Sequence, residues 1–324
     1  MKPDEAAADR RPPIRIGISA CLLGDEVRFD GGHKRDRFLT DTLGPFVEWV
    51  KVCPEVEMGL GTPRETLRLV AADGGLRLIT TRSGVDHTDA MNAWSAERVG
   101  ELADEQLSGY VLKKDSPSCG MARVKVYGLP MPERSGRGLF ATALMERFPN
   151  LPVEEEGRLS DPRLRENFIE RVFAYRRLRD VFAGTWTTGA LIRFHTAHKM
   201  SLLSHSTTAY QTLGRLVAGA RGQKPSALRD AYESLFMSTM AKIATPARHT
   251  NVLQHMAGHL KRLIDADSKR ELQGAIDEYR RGLVPLVVPL TLLRHYVRLH
   301  QVAYLAGQTY LEAHPRELML RNHV

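Results

Sequence analysis

The sequence predicts an α/β domain followed by an all-α domain, and three observations carry that prediction. Up to about residue 158, short apolar runs ending in glycine- or cysteine-bearing loops alternate with helical patterns. Beyond Gly184 no segment reads convincingly as a strand. Charge changes at the same place: Met1 to Ala183 carries 28 Lys/Arg against 29 Asp/Glu, whereas Gly184 to Val324 carries 18 against 9 and ten of the twelve histidines. The expected layout is a disordered lead-in over 1–13, an α/β domain over 14–158, a linking helix over 159–185 and a basic helical domain over 186–324.

In the first half, Ile14 to Ala20 reads as a strand that ends at Cys21. A glycine-rich loop, Phe29 to Lys34, precedes a helix over Asp36 to Leu43. Trp49 to Val52 is a second strand running into Cys53-Pro54-Glu55. The stretch Met58 to Glu65 contains Gly59 and Gly61, which let backbone approach a ligand closely. No Gly-Lys-Ser/Thr follows, so it is not a P-loop. Leu76 to Ile79 is a further strand, and Thr88 to Gln106 a helix. Gly109 to Leu112 is a buried strand leading into Lys113-Lys114-Asp115-Ser116-Pro117-Ser118-Cys119-Gly120. Gly138 to Phe148 is a helix and Leu151 to Val153 a terminal strand. This alternation implies a mostly parallel, Rossmann-like sheet, whose strand exits are where such folds place ligand groups.

In the second half, Asp161 to Phe182 reads as a long charged helix. Helical patterns follow over Leu191 to Ser206, Tyr210 to Ala220, Ser226 to Ile243, Thr250 to Ile264, Ser268 to Gly282 and Leu286 to Ala306. Pro225, Pro246, Pro285 and Pro289 mark starts or kinks. His195/His198 and His255/His259 have helical spacing, but Met256 stands where a zinc-protease motif has its glutamate, so core hydrogen bonds or phosphate contacts suit them better. A basic excess on one module favours a polyanion. Candidate contacts are Arg193, Lys199, Arg215, Arg221, Lys224, Arg248, Lys261 and Arg262.

Composition narrows the classes. Hydrophobic content of 43% with 26% charged residues is that of a folded globular chain. No apolar run reaches the ~18–20 residues a membrane span needs, and the polar N-terminus lacks a signal peptide's apolar core. A cytoplasmic protein is expected. Three cysteines, 32 and 66 residues apart, are too few and too scattered for a disulfide framework. Each follows an apolar run. Three small buried hydrophobes would be the plain reading of them. A Cys3His zinc site would need His33 or His87, and an iron–sulfur cluster with only three thiolates would leave one iron open to a substrate atom.

The motifs Ala20-Cys21-Leu22-Leu23-Gly24, Asp30-Gly31-Gly32, Cys53-Pro54-Glu55, Gly61-Thr62-Pro63-Arg64-Glu65 and Lys113 with Ser116-Pro117-Ser118-Cys119-Gly120 occur in an order that resembles the thiouracil desulfidase family. The resemblance spans about Ile14 to Pro152. It implies a [4Fe–4S] cluster on Cys21, Cys53 and Cys119, one iron open for the substrate's sulfur, and Glu55 and Ser116 as the catalytic residues. Ser118 is assigned a local turn role. Phe29 stands where the family often has tyrosine. The later motifs Phe194-His195-x-x-His198-Lys199, Asn251-Val252-Leu253-x-His255 and Tyr279-x-x-Gly282-x-x-Pro285-Leu286 resemble a helical domain often fused to desulfidases. That arrangement is associated with 4-thiouridine in transfer RNA. The expected function is therefore hydrolytic, non-redox conversion of tRNA 4-thiouridine to uridine, consuming water and releasing sulfide. The alternatives are a desulfidase of free thiobases such as 2-thiouracil, or a nucleic-acid-binding iron–sulfur protein without activity.

Overall fold

The computed structural model describes residues 13–73, 75–128 and 130–323. The lead-in expected over 1–13 lies almost wholly outside them. The chain divides into two compact units, Met1–Gly157 and Arg158–Val324.

In the first unit, β1 (Ile14–Ser19), β2 (Val47–Val52), β5 (Gly109–Leu112) and β8 (Val153–Glu155) form one sheet in the order β2-β1-β5-β8, every pairing parallel. A parallel sheet covered on both faces needs continuous apolar runs. Accordingly Ile16, Ile18, Tyr110, Val111 and Leu112 have no exposed surface. Gly17 is required by its neighbour, because a Cβ there would sit 2.2 Å from the Tyr110 ring.

A second sheet, which the sequence reading did not anticipate, has the order β4-β3-β6-β7. It comprises β3 (Leu67–Ala72), β4 (Gly75–Thr80), β6 (Val124–Tyr127) and β7 (Glu133–Gly136). Two of its pairings are antiparallel hairpins and the β3–β6 pairing is parallel. Leu69, Leu78, Val124 and Val126 pack with Met91 and Trp94 of α2 (Thr88–Leu102) and with Leu139 of α3 (Leu139–Arg147). The helix expected over Asp36 to Leu43 is a π-helical turn, Phe38–Leu43. After β2 comes a single-turn helix, α1 (Pro54–Glu57).

The second unit is helical. It runs α4 (Pro162–Phe182), α5 (Thr188–Ala197), α6 (Lys199–His205), α7 (Thr207–Ala218), α8 (Pro225–Met240), α9 (Pro246–Leu260), α10 (Ala266–Arg280), α11 (Val287–Leu299) and α12 (Ala303–Ala306). Pro162, Pro225 and Pro246 begin their helices, where the missing N–H costs nothing. Asp161, Thr187, Ser206, Thr245 and Asp265 cap first-turn amides. The stretch expected as one helix over Leu191 to Ser206 breaks at His198 into α5 and α6. The segment expected as a linker contributes Ala174, Leu178 and Phe182 of α4 to a core shared with Leu191, Leu213, Tyr232 and Phe236. A second core joins Met200 to the inner faces of α9, α10 and α11. No helix of the described residues is long and apolar enough to cross a membrane.

Candidate active site

Cys21, Cys53 and Cys119 follow β1, β2 and β5, three neighbouring strands running in one direction, so all three thiols arrive at the same sheet edge. They are unpaired, and together with Glu55 and Ser116 they line one cavity of about 370 Å³. Every residue of the predicted site thus borders one space.

Burial pushes the Cys21 thiol up to about 11 and raises those of Cys53 and Cys119 as well. The Ser19 hydroxyl bonds the Cys119 thiol and accepts the Lys113 amide at 2.9 Å, linking the ends of β1 and β5. Cys53 Sγ lies 3.7 Å from the Val27 carbonyl. Sparsely solvated thiols become thiolates most readily when a metal supplies positive charge. Among the described residues, no group of three or more His, Cys, Asp or Glu is close enough to hold a metal ion. Neither His33 nor His87 borders the cavity. Three soft donors bordering one hollow are a set that would suit an iron–sulfur cluster.

Glu55 does not satisfy backbone amides at its helix start. Its Oε2 accepts from Arg64 Nε at 2.9 Å and Nη2 at 2.6 Å, and its Oε1 accepts from Ser118 Oγ at 2.9 Å. The Arg64 and Glu55 side chains are 7% and 15% exposed. Arg64 also reaches the carbonyls of Val27 and Gly61, clamping the loops that carry the cavity wall. The local turn role expected of Ser118 is corrected here: its side chain is fully buried and holds the carboxylate. Ser116 makes the turn instead, its Oγ accepting from the amides of Ser118 at 3.2 Å and Cys119 at 3.1 Å. Both bonds use oxygen lone pairs, so the Ser116 hydroxyl proton stays available to the cavity it borders.

Arg64, Ser19 and Glu156 hold the site although the sequence alone marks none of them for it. Glu156 pairs with Lys113 and accepts the Lys114 amide at 2.7 Å, holding the start of the cysteine-bearing loop. Its only sequence signal was its place in the run Glu154-Glu155-Glu156 after a short strand.

In the second unit, His195 and His198 are core residues. His195 Nδ1 lies 3.1 Å from the Tyr232 hydroxyl, and His198 bonds the Phe194 carbonyl at 2.8 Å. His255 and His259 pack edge to face, 5.4 Å between centroids. Of the candidate polyanion contacts, Lys199 is half-buried and the others are exposed.

An α/β unit that gathers free thiols, a clamped carboxylate and a hydroxyl at the exits of parallel strands is built like an enzyme centre. The 2-thiouracil desulfurase family matches residues 16–156, and a family described only as a protein of unknown function (DUF1722) matches residues 199–315. The uncharacterized protein YbgA of Escherichia coli is 35% identical over 161 residues, which is 49% of this chain and 95% of that protein. The uncharacterized protein YbbK of Bacillus subtilis is 30% identical over 154 residues, 45% of this chain and 98% of the relative. A solved [4Fe-4S]-dependent thiouracil desulfidase is 31% identical over 45% of this chain and 93% of its own, with a TM-score of 0.38. The chain belongs to the 2-thiouracil desulfurase family and carries a DUF1722 region after that domain.

Proposed function

We propose that the first unit is an iron–sulfur desulfidase that exchanges the thiocarbonyl sulfur of a thiolated pyrimidine for oxygen from water. The observation that carries this reading is the convergence of Cys21, Cys53, Cys119, Glu55 and Ser116 on one cavity. A [4Fe–4S] cluster on the three cysteines would supply an iron without a protein ligand, a soft Lewis acid suited to a thiocarbonyl sulfur. Glu55, ion-paired and held from both oxygens, is oriented to take a proton from the attacking water. Ser116 donates its remaining proton toward the base edge or the departing sulfur. Arg64 keeps the carboxylate in place, and Lys113 with Glu156 holds the loop entrance. One water enters and one sulfide leaves, with no net electron transfer.

The family supports a free thiobase such as 2-thiouracil as the substrate. A second reading, 4-thiouridine in tRNA, is favoured by the exposed basic residues of the second unit and by its charge of 18 Lys/Arg against 9 Asp/Glu from Gly184 onward. The test is an anaerobic incubation of the iron-loaded chain with 2-thiouracil and, separately, with thiolated tRNA, following thiocarbonyl absorbance and sulfide. Turnover of the free base alone selects the first reading and turnover of tRNA selects the second. Turnover of neither by protein with full iron and sulfide content sinks the desulfidase reading. Cys21→Ser, Cys53→Ser and Cys119→Ser are each expected to lose the cluster's visible absorbance; a brown protein in any one breaks the ligand assignment.

A further inference from the structure

Among the described residues that line the thiol cavity, Phe29 is the one aromatic, and it is 39% exposed. The rest of the wall is polar or aliphatic, as at Val27, Leu67 and Pro117. A lone exposed phenylalanine on an open surface would mean little. One that borders a cavity and is held in place there is a different matter, because a rigid ring is an inexpensive contact surface for a flat ligand.

The segment that carries Phe29 is fastened on every side. Its carbonyl accepts from the Arg64 amide at 2.9 Å, and the Val27 carbonyl accepts from both Nη1 and Nη2 of Arg64 at 3.0 Å. The turn that follows closes from the Gly31 amide to the Arg28 carbonyl at 3.0 Å and from the Arg28 amide to the Gly32 carbonyl at 3.2 Å. Gly31 adopts a φ of 76° there, which a side chain would strain. Arg28 lies over the Phe29 ring, its Cζ 5.2 Å from the centroid, and Asp30 holds that guanidinium through Oδ1 at 3.3 Å and Oδ2 at 3.5 Å.

Arg64 ties this ring to the chemistry. The same guanidinium grips Glu55 and Val27, and the Val27 carbonyl stands 3.7 Å from Cys53 Sγ. Phe29 is two residues beyond Val27, a span of at most about 7 Å. The ring, the carboxylate and one of the thiols therefore share one frame. A pyrimidine presents polar edges and two flat π faces. Glu55 and Ser116 can meet its edges only, and a π face is matched by an aromatic ring. We propose that Phe29 is a specificity-determining residue of this centre: its ring stacks on the face of the thiobase and selects planar, aromatic thiocarbonyl compounds over saturated ones. Arg28 keeps the ring from turning away, so little side-chain freedom is lost on binding. The proposal rests on the desulfidase reading and adds to it the shape of the substrate.

The test sets 2-thiouracil against 5,6-dihydro-2-thiouracil, which keeps the thiocarbonyl edge on a puckered, non-aromatic ring. Absence of turnover of either compound by the iron-loaded full chain ends the desulfidase reading and the selectivity built on it. With turnover present, the remaining outcomes concern Phe29 alone. Phe29→Leu is expected to keep its iron content and melting temperature, since the ring is partly exposed. Its KM for 2-thiouracil is expected to rise about tenfold, the loss falling on KM rather than kcat. Its KM for the dihydro compound should stay at the wild-type value, and Phe29→Tyr should restore the wild-type KM for 2-thiouracil. Uracil, which has no sulfur, reads the stacking without turnover: calorimetry is expected to show it binding about tenfold more weakly to Phe29→Leu than to the wild-type chain. Wild-type KM and uracil affinity in Phe29→Leu would overturn the proposal. So would an equal loss on the aromatic and the saturated compound, which would make the ring a merely structural part of the cavity wall.

Discussion

At the scale of single residues, the centre is shaped by how Glu55 is held. Two nitrogens of Arg64 grip one carboxylate oxygen and Ser118 grips the other, in a setting almost closed to water. Removing one member of a buried pair strands the other charge, at about 3–5 kcal/mol in fully buried cases. Arg64→Ala is therefore expected to cut thiobase turnover at least tenfold and to lower stability by about 3 kcal/mol. Arg64→Lys should recover part of the stability but little of the turnover, because an ammonium cannot reproduce the fork. Steady-state rates and urea melts of the two variants check this, and wild-type turnover in Arg64→Ala would refute the positioning role. Ser118→Ala loses a hydrogen bond to a charged group, a stability change of about 1.5–3 kcal/mol, and is expected to keep its iron. The roles of the two serines were not legible in the sequence. Ser116 and Ser118 have equal claim to a turn, and only the path of the loop decides which hydroxyl faces Glu55. Arg64 was visible as part of Gly61-Thr62-Pro63-Arg64-Glu65, but nothing in that spacing shows that its guanidinium folds back nine residues to a carboxylate.

At the scale of elements, the cysteine-bearing loop and α3 are one construction. The amides of Leu139 and Ala141, left without intrahelical partners at the helix start, donate to the carbonyls of Pro117 and Ser118 at 3.3 and 3.2 Å. The loop caps the helix and the helix fixes the loop. Gly138 permits the approach, since a Cβ there would lie 2.3 Å from the Ser118 carbonyl oxygen. Overpacking of this kind costs about 1–3 kcal/mol, and the only relief is to move Ser118 and Cys119. Gly138→Ala is thus expected to retain its far-ultraviolet spectrum while losing most of its iron and activity; full iron content would show that the loop tolerates the shift. Two of the three strands that position the cysteines were readable because β1 and β5 are buried on both faces, and such strands must be continuous apolar runs. Of the second sheet only β4 was, as Leu76 to Ile79. Its strand β7, Glu133-Arg134-Ser135-Gly136, has three exposed residues and no apolar side chain, and β6 alternates over only four positions. Their pairing is dictated by the hairpin and by packing on α2 and α3 rather than by local pattern. The break at His198 was hidden likewise. Leu191 to Ser206 keeps helical periodicity through a residue whose ring is stacked on Phe194, 4.0 Å between centroids.

At the scale of the whole molecule, charge and titration separate the two units. The basic excess lies from Gly184 onward, so binding of tRNA, if that is the substrate, should weaken steeply with salt as phosphate contacts release counterions. Thiouracil turnover should be nearly indifferent to the same salt. A second contrast comes from histidines that the helical unit buries. Burial brings His198 and His249 down to about 3 and His195 and His314 to about 4. Each therefore stays neutral in the fold at a pH where the unfolded chain, titrating near pH 6.5, has taken up a proton. The unfolded state binds more protons, so the stability these groups confer is complete above about pH 6.5 and is lost as pH falls toward 3–4. Well below pH 6.5 each contributes a loss of about 1.4 kcal/mol per pH unit. Glu166, raised by burial, opposes this in part on acidification, whereas Glu170, held low by His205 and Arg321 against its burial, adds to the loss only below the usual carboxylate range. Between pH 6.5 and 5 the histidines dominate. Trp186 reports on this unit, and Trp49→Phe/Trp94→Phe removes the tryptophans of the other. In that background, the Trp186 unfolding midpoint in urea is expected to fall markedly from pH 7 to pH 5, and His249→Gln should flatten the dependence. A midpoint that stays level across that range would mean that these imidazoles are protonated in the fold, contrary to their burial.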